Sequence, residues 1–257
     1  MTVIDSANIR VLYALNASDI NNPETYDDLQ RLEIGSHISK YYSFFVYSSD
    51  SIVTDWVKKN PNPQGIPIRM GPKGKIIGWT QYVYSDYIKD FSSNQITEYS
   101  YMPWGIKTDY QYTESLTLQQ WEIHDDTISI VGNLCQKATC NFRGRNYIAW
   151  FAIDIPISNG PWKFSGLPGL IMKVYDIDKL YIFECIGIEN YKEKFPIKIY
   201  PGDYYVKIKR TDLLKLQERC HNDYLKAARI TGIDGSSFDN ISEKYTIKHA
   251  YKTIELK

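Results

Sequence analysis

The chain has 257 residues, 43% of them hydrophobic, which suffices for a substantial core in one β-rich domain spanning 1–257. Its 30 Lys and Arg balance 30 Asp and Glu, so no broad basic field exists to neutralise phosphates, and nucleic acid is not an expected partner. No run approaches the roughly 18 apolar residues of a spanning helix. No Cys-x-x-Cys pair or histidine spacing marks a metal site, so neither metal nor cofactor is expected.

Aromatic residues make up 14% of the chain, with 22 Tyr and 6 Trp, a composition that favours half-buried pleated surfaces. Residues 9–15 have strand composition, and 16–28 read as a loop. Leu32-Glu33-Ile34-Gly35 opens a second unit, an aromatic run follows at 41–45, and Ser51 is expected to cap a short helix through Val57. Four prolines within 58–74 predict a surface excursion. Strands are then expected at 76–84, 96–101, 118–123, 128–131 and 135–142. His124-Asp125-Asp126-Thr127 reads as a hairpin connection and Arg143-Gly144-Arg145 as another, with Gly144 free to adopt positive φ. Residues 147–153 are apolar on both faces, which predicts a central strand covered on both sides.

Residues 159–171 place three glycines and two prolines between apolar strands. Pro168 and Gly169 suit the central positions of a type II turn, flanked by Leu167 and Leu170. Trp162 and Phe164 alternate with Lys163, so the rings are expected to cover the core while the ammonium faces water. Further on, 170–175 and 180–188 predict an antiparallel pair joined through 176–178. Short edges are expected at 197–200 and 204–208. A helix is expected from the N-cap Thr211 to about residue 230, closed at Gly232, and a returning strand at 246–256. The fold class is mostly β (α+β), a large curved antiparallel sheet or half-barrel packed on one long helix in the C-terminal region.

On Gly166-Leu167-Pro168-Gly169-Leu170-Ile171 the chain resembles the GLPGLI family of exported Bacteroidota proteins, named for that motif. The resemblance extends through Trp121, Asp125, residues 135–139, Phe142-Arg143-Gly144-Arg145, Ala149-Trp150-Phe151, Ile155-Pro156 and Gly160-Pro161-Trp162-Lys163-Phe164, with weaker echoes at 32–35 and Ile254-Glu255-Leu256. It departs at Lys252-Thr253 and in having Cys140 and Cys185. The resemblance implies export by a cleaved signal and residence in the periplasm, at the outer membrane or outside the cell, with no established activity. By fold analogy it implies the half-barrel of periplasmic lipoprotein carriers. Because Cys140 and Cys185 depart from the family pattern together, an exported protein is expected to pair them in a disulfide.

No catalytic residue stands out. Asp125 with Asp126, and Asp176 with Asp178, sit in predicted turns where Asp bonds its own backbone. Glu184 is expected to face outward; facing inward, it would need Arg143 or Arg145. A structural role is expected for Gly160, Pro161 and the 166–171 motif. Ligand contacts are expected at Trp150, Trp162, Arg143 and Arg145, with tyrosines 82, 84, 99, 101, 110 and 112 along a groove. The expected function is a non-enzymatic binding or interaction module with an aromatic groove for a peptide, lipid, glycan or outer-membrane protein. The alternatives are a carboxylate-dependent hydrolase or transferase, and a structural partner of an outer-membrane complex.

Overall fold

Among the described residues twelve strands form one open sheet in the order β12-β6-β5-β4-β3-β2-β1-β11-β10-β9-β8-β7. The computed structural model describes residues 1–61, 84–102, 108–200, 202–222 and 253–256. The expected strand at 76–84, most of the 58–74 excursion, the far end of the 211–230 helix, Gly232 and most of the 246–256 tail lie outside them.

The sheet is two meanders joined at their ends. The first comprises β1 (Thr2–Leu15), β2 (Asp28–Gly35), β3 (Ile38–Ser43), β4 (Tyr84–Asp90), β5 (Gln95–Tyr101) and β6 (Tyr110–Ser115). The second comprises β7 (Glu122–Ile130), β8 (Asn133–Phe142), β9 (Arg145–Ala152), β10 (Ile171–Asp176) and β11 (Ile182–Ile199). Within each meander neighbours in sequence pair antiparallel, as short connections favour. The halves meet where β1 and β11 pair antiparallel from Thr2↔Ile199 to Leu15↔Phe183, with register shifts at Val3/Asp5, Ala7/Ile9 and Leu12/Tyr13. Among the described residues only β12 (Val206–Lys207) pairs parallel, with β6. Helix α1 (Phe44–Lys59) packs on β2 and β3. Helix α2 (Arg210–Asn222) buries Leu213 and Cys220 and reaches Ser100 on β5 through Gln217, at 3.3 Å.

Several local expectations change. The cap of α1 is Ser43, whose hydroxyl accepts from the Val46 N–H at 3.1 Å, so the aromatic run ends a strand and begins the helix. Residues 124–127 are no hairpin, because β7 runs through them with an irregular register. The β7–β8 turn is instead Val131-Gly132, both at positive φ (49° and 75°). Arg143 and Gly144 repeat this at the β8–β9 turn (51° and 83°), the geometry that matches the twist of a tight hairpin. Strand β9 is not covered on both sides: Tyr147, Ala149 and Phe151 are buried whereas Ile148 and Trp150 are half-buried.

The core lies on the face bearing Val11, Tyr13, Leu32, Tyr41, Tyr147 and Val174. Residues 153–170 fold over it and bury Trp162, Phe164, Leu167 and Leu170. The Phe164 ring meets Tyr147 at 4.7 Å and Trp162 at 5.1 Å, both edge-on. Gly166 takes φ +90°, whereas Gly169 is outside the left-handed region, so Pro168-Gly169 is not a type II turn. Position 169 needs room instead: a Cβ there would lie 2.0 Å from the Ala152 carbonyl oxygen. That oxygen belongs to the backbone and cannot step aside.

Cys140 and Cys185 are buried free thiols, not a disulfide. Cys140 lies on β8 and Cys185 on β11, with β9 and β10 between. At ~4.8 Å per strand the gap is roughly 14 Å across the ladder, twice the reach of a disulfide.

The Gly169→Ala variant is expected to lose about 3 kcal/mol or more in urea unfolding, by overpacking against backbone. Gly132→Ala, where nothing lies within 4 Å, is expected to lose only about 1 kcal/mol through backbone strain. Equal losses would contradict this reading of the motif.

Candidate functional site

Around the motif, the side chains expected to meet a ligand are committed to the protein itself. Lys163 does not face water: its side chain is 3% exposed, and its ammonium bonds Glu255 and the Tyr112 hydroxyl and lies 3.3 Å from Glu98 and 3.6 Å from Glu114. Arg143 pairs with Glu114 at 2.7 Å, and Arg210 at the start of α2 pairs with Glu255. Three cations thus face three carboxylates, and the cluster is neutral. Tyr112 donates to Glu98 at 2.6 Å, and burial together with Glu98 and Glu255 pushes its phenol far above the ordinary value. The cluster ties the motif segment to β5, β6, α2 and the C-terminal residues. It also explains Ile254-Glu255-Leu256, in which Glu255 supplies a buried carboxylate while Leu256 donates its N–H to the Arg143 carbonyl at 2.9 Å.

Arg145 is equally occupied, with Asp176 at 3.0 Å and the Thr253 carbonyl at 2.6 Å. Asp176 also accepts from the Tyr181 N–H at 2.8 Å, closing its turn as expected of Asp. Trp162 is 2% exposed and Trp150 is half-buried on the other side of β9. Glu184 faces outward and pairs with Lys173 across the β10–β11 ladder at 2.7 Å. Lys89 on β4 is fully buried without a carboxylate and donates to Asn159 Oδ1 (3.0 Å) and the carbonyls of Gly160 (2.9 Å) and Phe164 (2.5 Å). Burial pulls its ammonium down to about 7. It pins the start of the motif segment to the sheet.

A cleft of about 440 Å³ opens elsewhere, within the range of small-ligand sites. Tyr47, Thr54 and Lys58 of α1 form one wall, and Phe195, Lys198 and Tyr200 at the end of β11 another. The floor is a ladder of alternating charge across four adjacent strands, Arg10 (β1), Glu33 (β2), Lys40 (β3) and Asp86 (β4), which Glu189 (β11) continues just beyond the lining. Glu189, Glu33 and Lys40 stand in direct register beside Arg10 or each other. Arg10 reaches Glu33 at 3.1 Å and Glu189 at 3.3 Å, and Lys40 reaches Asp86 at 2.7 Å. Tyr42 donates to Glu33 at 2.9 Å, and Tyr101 on β5 to Asp86 at 3.4 Å. The Arg10 guanidinium lies over Phe195 (4.6 Å) and Tyr191 (5.2 Å), and the Lys40 ammonium over Tyr42 (4.8 Å). Such a surface is charged yet held still, a polar template framed by rings.

Beside the cleft, Asp28 is buried and accepts from the Ser43 hydroxyl at 2.9 Å, the same hydroxyl that caps α1. Burial pushes its carboxyl up to about 7, against the opposing hydrogen bonds from Ser43 and Gln30.

Sequence reasoning missed the ladder. Its signal was one charged residue of alternating sign on each successive strand, as in Ile9-Arg10-Val11 and Leu32-Glu33-Ile34. Of the expected groove tyrosines, Tyr101 lines the cleft, Tyr112 belongs to the buried cluster, and Tyr99 packs on Tyr205 at 4.8 Å. Tyr110 is half-buried on β6, whereas Tyr82 and the Tyr84 side chain lie outside the described residues.

Residues 141–173, from the end of β8 through the motif, match the model of a family described as "Protein of unknown function (Porph_ging)". No curated protein matches the chain. Among solved structures it is similar to PNGF-II in a C2 lattice, with TM-score 0.50 and 11% identity over 85% of this chain and 34% of that one. PNGF-II in a P21 lattice gives 0.48 and 11% over 82% and 33%. The chain therefore spans about a third of the length of PNGF-II, and the likeness bears on the fold alone.

Two measurements check the buried groups. Lys163→Met, which strands three carboxylates with two cations, is expected to cost about 3–5 kcal/mol. Lys173→Met, in a partly exposed pair, is expected to cost under about 1 kcal/mol; comparable losses would refute the cluster's role. For Asp28, the unfolded carboxyl ionises near its ordinary 3.8 and the folded one near 7, so between these values the folded state holds the extra proton. Stability from this group is full below about pH 4 and is lost as pH rises through 7, about 4 kcal/mol at most at about 1.4 kcal/mol per pH unit. Asp28→Asn is expected to flatten that decline in stability curves taken from pH 4 to 8.

Proposed function

We propose that the protein is a non-enzymatic binding module of the cell envelope, exported like the GLPGLI proteins it resembles, and that its ligand lies in the cleft between α1 and the β1–β5 face. The observation that carries this reading is the ladder from Glu189 to Asp86, held in place by register and ion pairs and bordered by Tyr42, Tyr47, Tyr101 and Phe195. A pre-ordered polar floor with aromatic edges binds without first having to be organised. The lining carboxylates Glu33, Asp55 and Asp86 each hold a cation, which favours binding over acid–base chemistry. The envelope location rests on the resemblance of the 121–171 block to exported proteins.

The test is an NMR titration of the 15N-labelled protein with three probes: a Glu-Glu-Tyr-Glu peptide, maltohexaose, and dihexanoyl phosphatidylglycerol below its micelle concentration. At least one is expected to shift the amides of residues 31–33, 40–47 and 198–200 saturably. Tyr47→Ala, which removes an exposed wall ring, should weaken that probe about tenfold. Saturable shifts at Trp150 and Trp162 instead, or none from any probe, would overturn the assignment.

A further inference from the structure

We infer that the cleft recognises an oxyanion, a carboxylate or phosphate head group, through the guanidinium of Arg31. The inference rests on the cleft being the binding site and adds the class of ligand it takes.

Arg31 differs from every other charge on the floor. Arg10 has Glu33 and Glu189, and Lys40 has Asp86. Arg31 makes no ion pair among the described residues: its polar partner is the neutral Tyr42 side chain, and its buried Nε has no hydrogen-bond partner. It lies on β2, directly opposite Leu12 on β1 and Tyr42 on β3, and Tyr42 is close enough to feel its charge. The Phe44 ring, at the first residue of α1, sits 3.4 Å from its guanidinium carbon. Stacking on a ring fixes the plane of the fork and leaves its N–H donors for a ligand.

The charge around it points the same way. Cations lining the cleft outnumber lining carboxylates five to three: Arg10, Arg31, Lys40, Lys58 and Lys198 against Glu33, Asp55 and Asp86. A half-buried guanidinium without a counter-charge has lost part of its hydration and gained no anionic partner. A carboxylate or phosphate restores both through two parallel N–H···O bonds, a geometry that an ammonium does not reproduce. In the neutral six-charge cluster behind Lys163 the Arg143 Nε and Glu114 Oε1 also lack a hydrogen bond, yet every cation there faces a carboxylate; the missing counter-charge is what sets Arg31 apart.

The protein is titrated with 4-phenylbutyrate, phenyl phosphate and the neutral 4-phenylbutanamide, reading backbone amides and the Arg31 Nε–Hε resonance. At least one anion should bind ten-fold or more tighter than the amide and move the Arg31 resonance. The tighter anion identifies the head group as carboxylate or phosphate. Arg31→Lys, which keeps the charge and so guards against loss of the fold, should weaken the anion ten-fold or more and leave the amide unchanged. Phe44→Leu, which removes only the platform, should give a smaller loss. If the amide binds as tightly as the anions within the cleft and Arg31→Lys changes nothing, the inference is wrong while the cleft reading stands. If neither anion binds in the cleft while maltohexaose does, the inference is likewise wrong and the cleft reading stands; if nothing binds in the cleft in either titration, both are wrong.

Discussion

Everything in this fold depends on the pairing of β1 with β11. Within each meander strands pair with their neighbours in sequence, most through short turns and two across longer connections at 44–83 and 153–170, but the join matches Thr2 with Ile199 and Leu15 with Phe183. Tight hairpins close small loops, whereas this pairing closes most of the chain, from Thr2 to Ile199, and bears a larger entropic cost. It also brings the two working parts of the molecule into one sheet, since the cleft floor runs from β4 through β1 to β11 and the core face continues from β1 into β11 and β10. Tyr13 on β1 donates to the Ile171 carbonyl at 2.7 Å, so the join and the motif segment are bonded directly.

The two faces use charge in opposite ways. Behind the motif, Lys163, Arg143 and Arg210 meet Glu98, Glu114 and Glu255 largely out of water, and such a group tolerates no missing member. On the cleft face the charges stand in a row, one per strand, with aromatic rings beside them and solvent within reach. The first arrangement fixes where the segment and C-terminal residues lie. The second offers a surface whose polar groups keep their positions when a ligand arrives.

The strand-rich class was legible in the sequence, because apolar runs such as 147–153 and turn residues such as Gly144 act locally. The motif was legible as architecture, yet its mechanism was misjudged: positive φ falls at Gly166, and Gly169 is required by the nearness of Ala152, a neighbour 17 residues away. Lys163 was misplaced because an alternating pattern assigns a lysine to water unless three carboxylates, from β5, β6 and residue 255, converge on it. Nothing in the chain order announces that convergence. The cleft escaped for the same reason, since Arg10 and Glu189 are 179 residues apart and become neighbours only through the β1–β11 join.

The outermost strand of the second meander has a bearing on how copies of this protein behave toward one another. Among the described residues no strand pairs with the outer side of β7, and Ile123 and Ile128 are exposed, features that invite another strand to add on. It also carries Glu122, Asp125 and Asp126 at the surface, and its ladder loses regular register between Ile123 and Thr127. Two such borders approaching antiparallel would set acidic side chains against each other at the centre of contact, where the ladder is least regular. Repulsion at that seam works against fibre-like stacking at high concentration, a safeguard supplied by residues with no part in core or cleft.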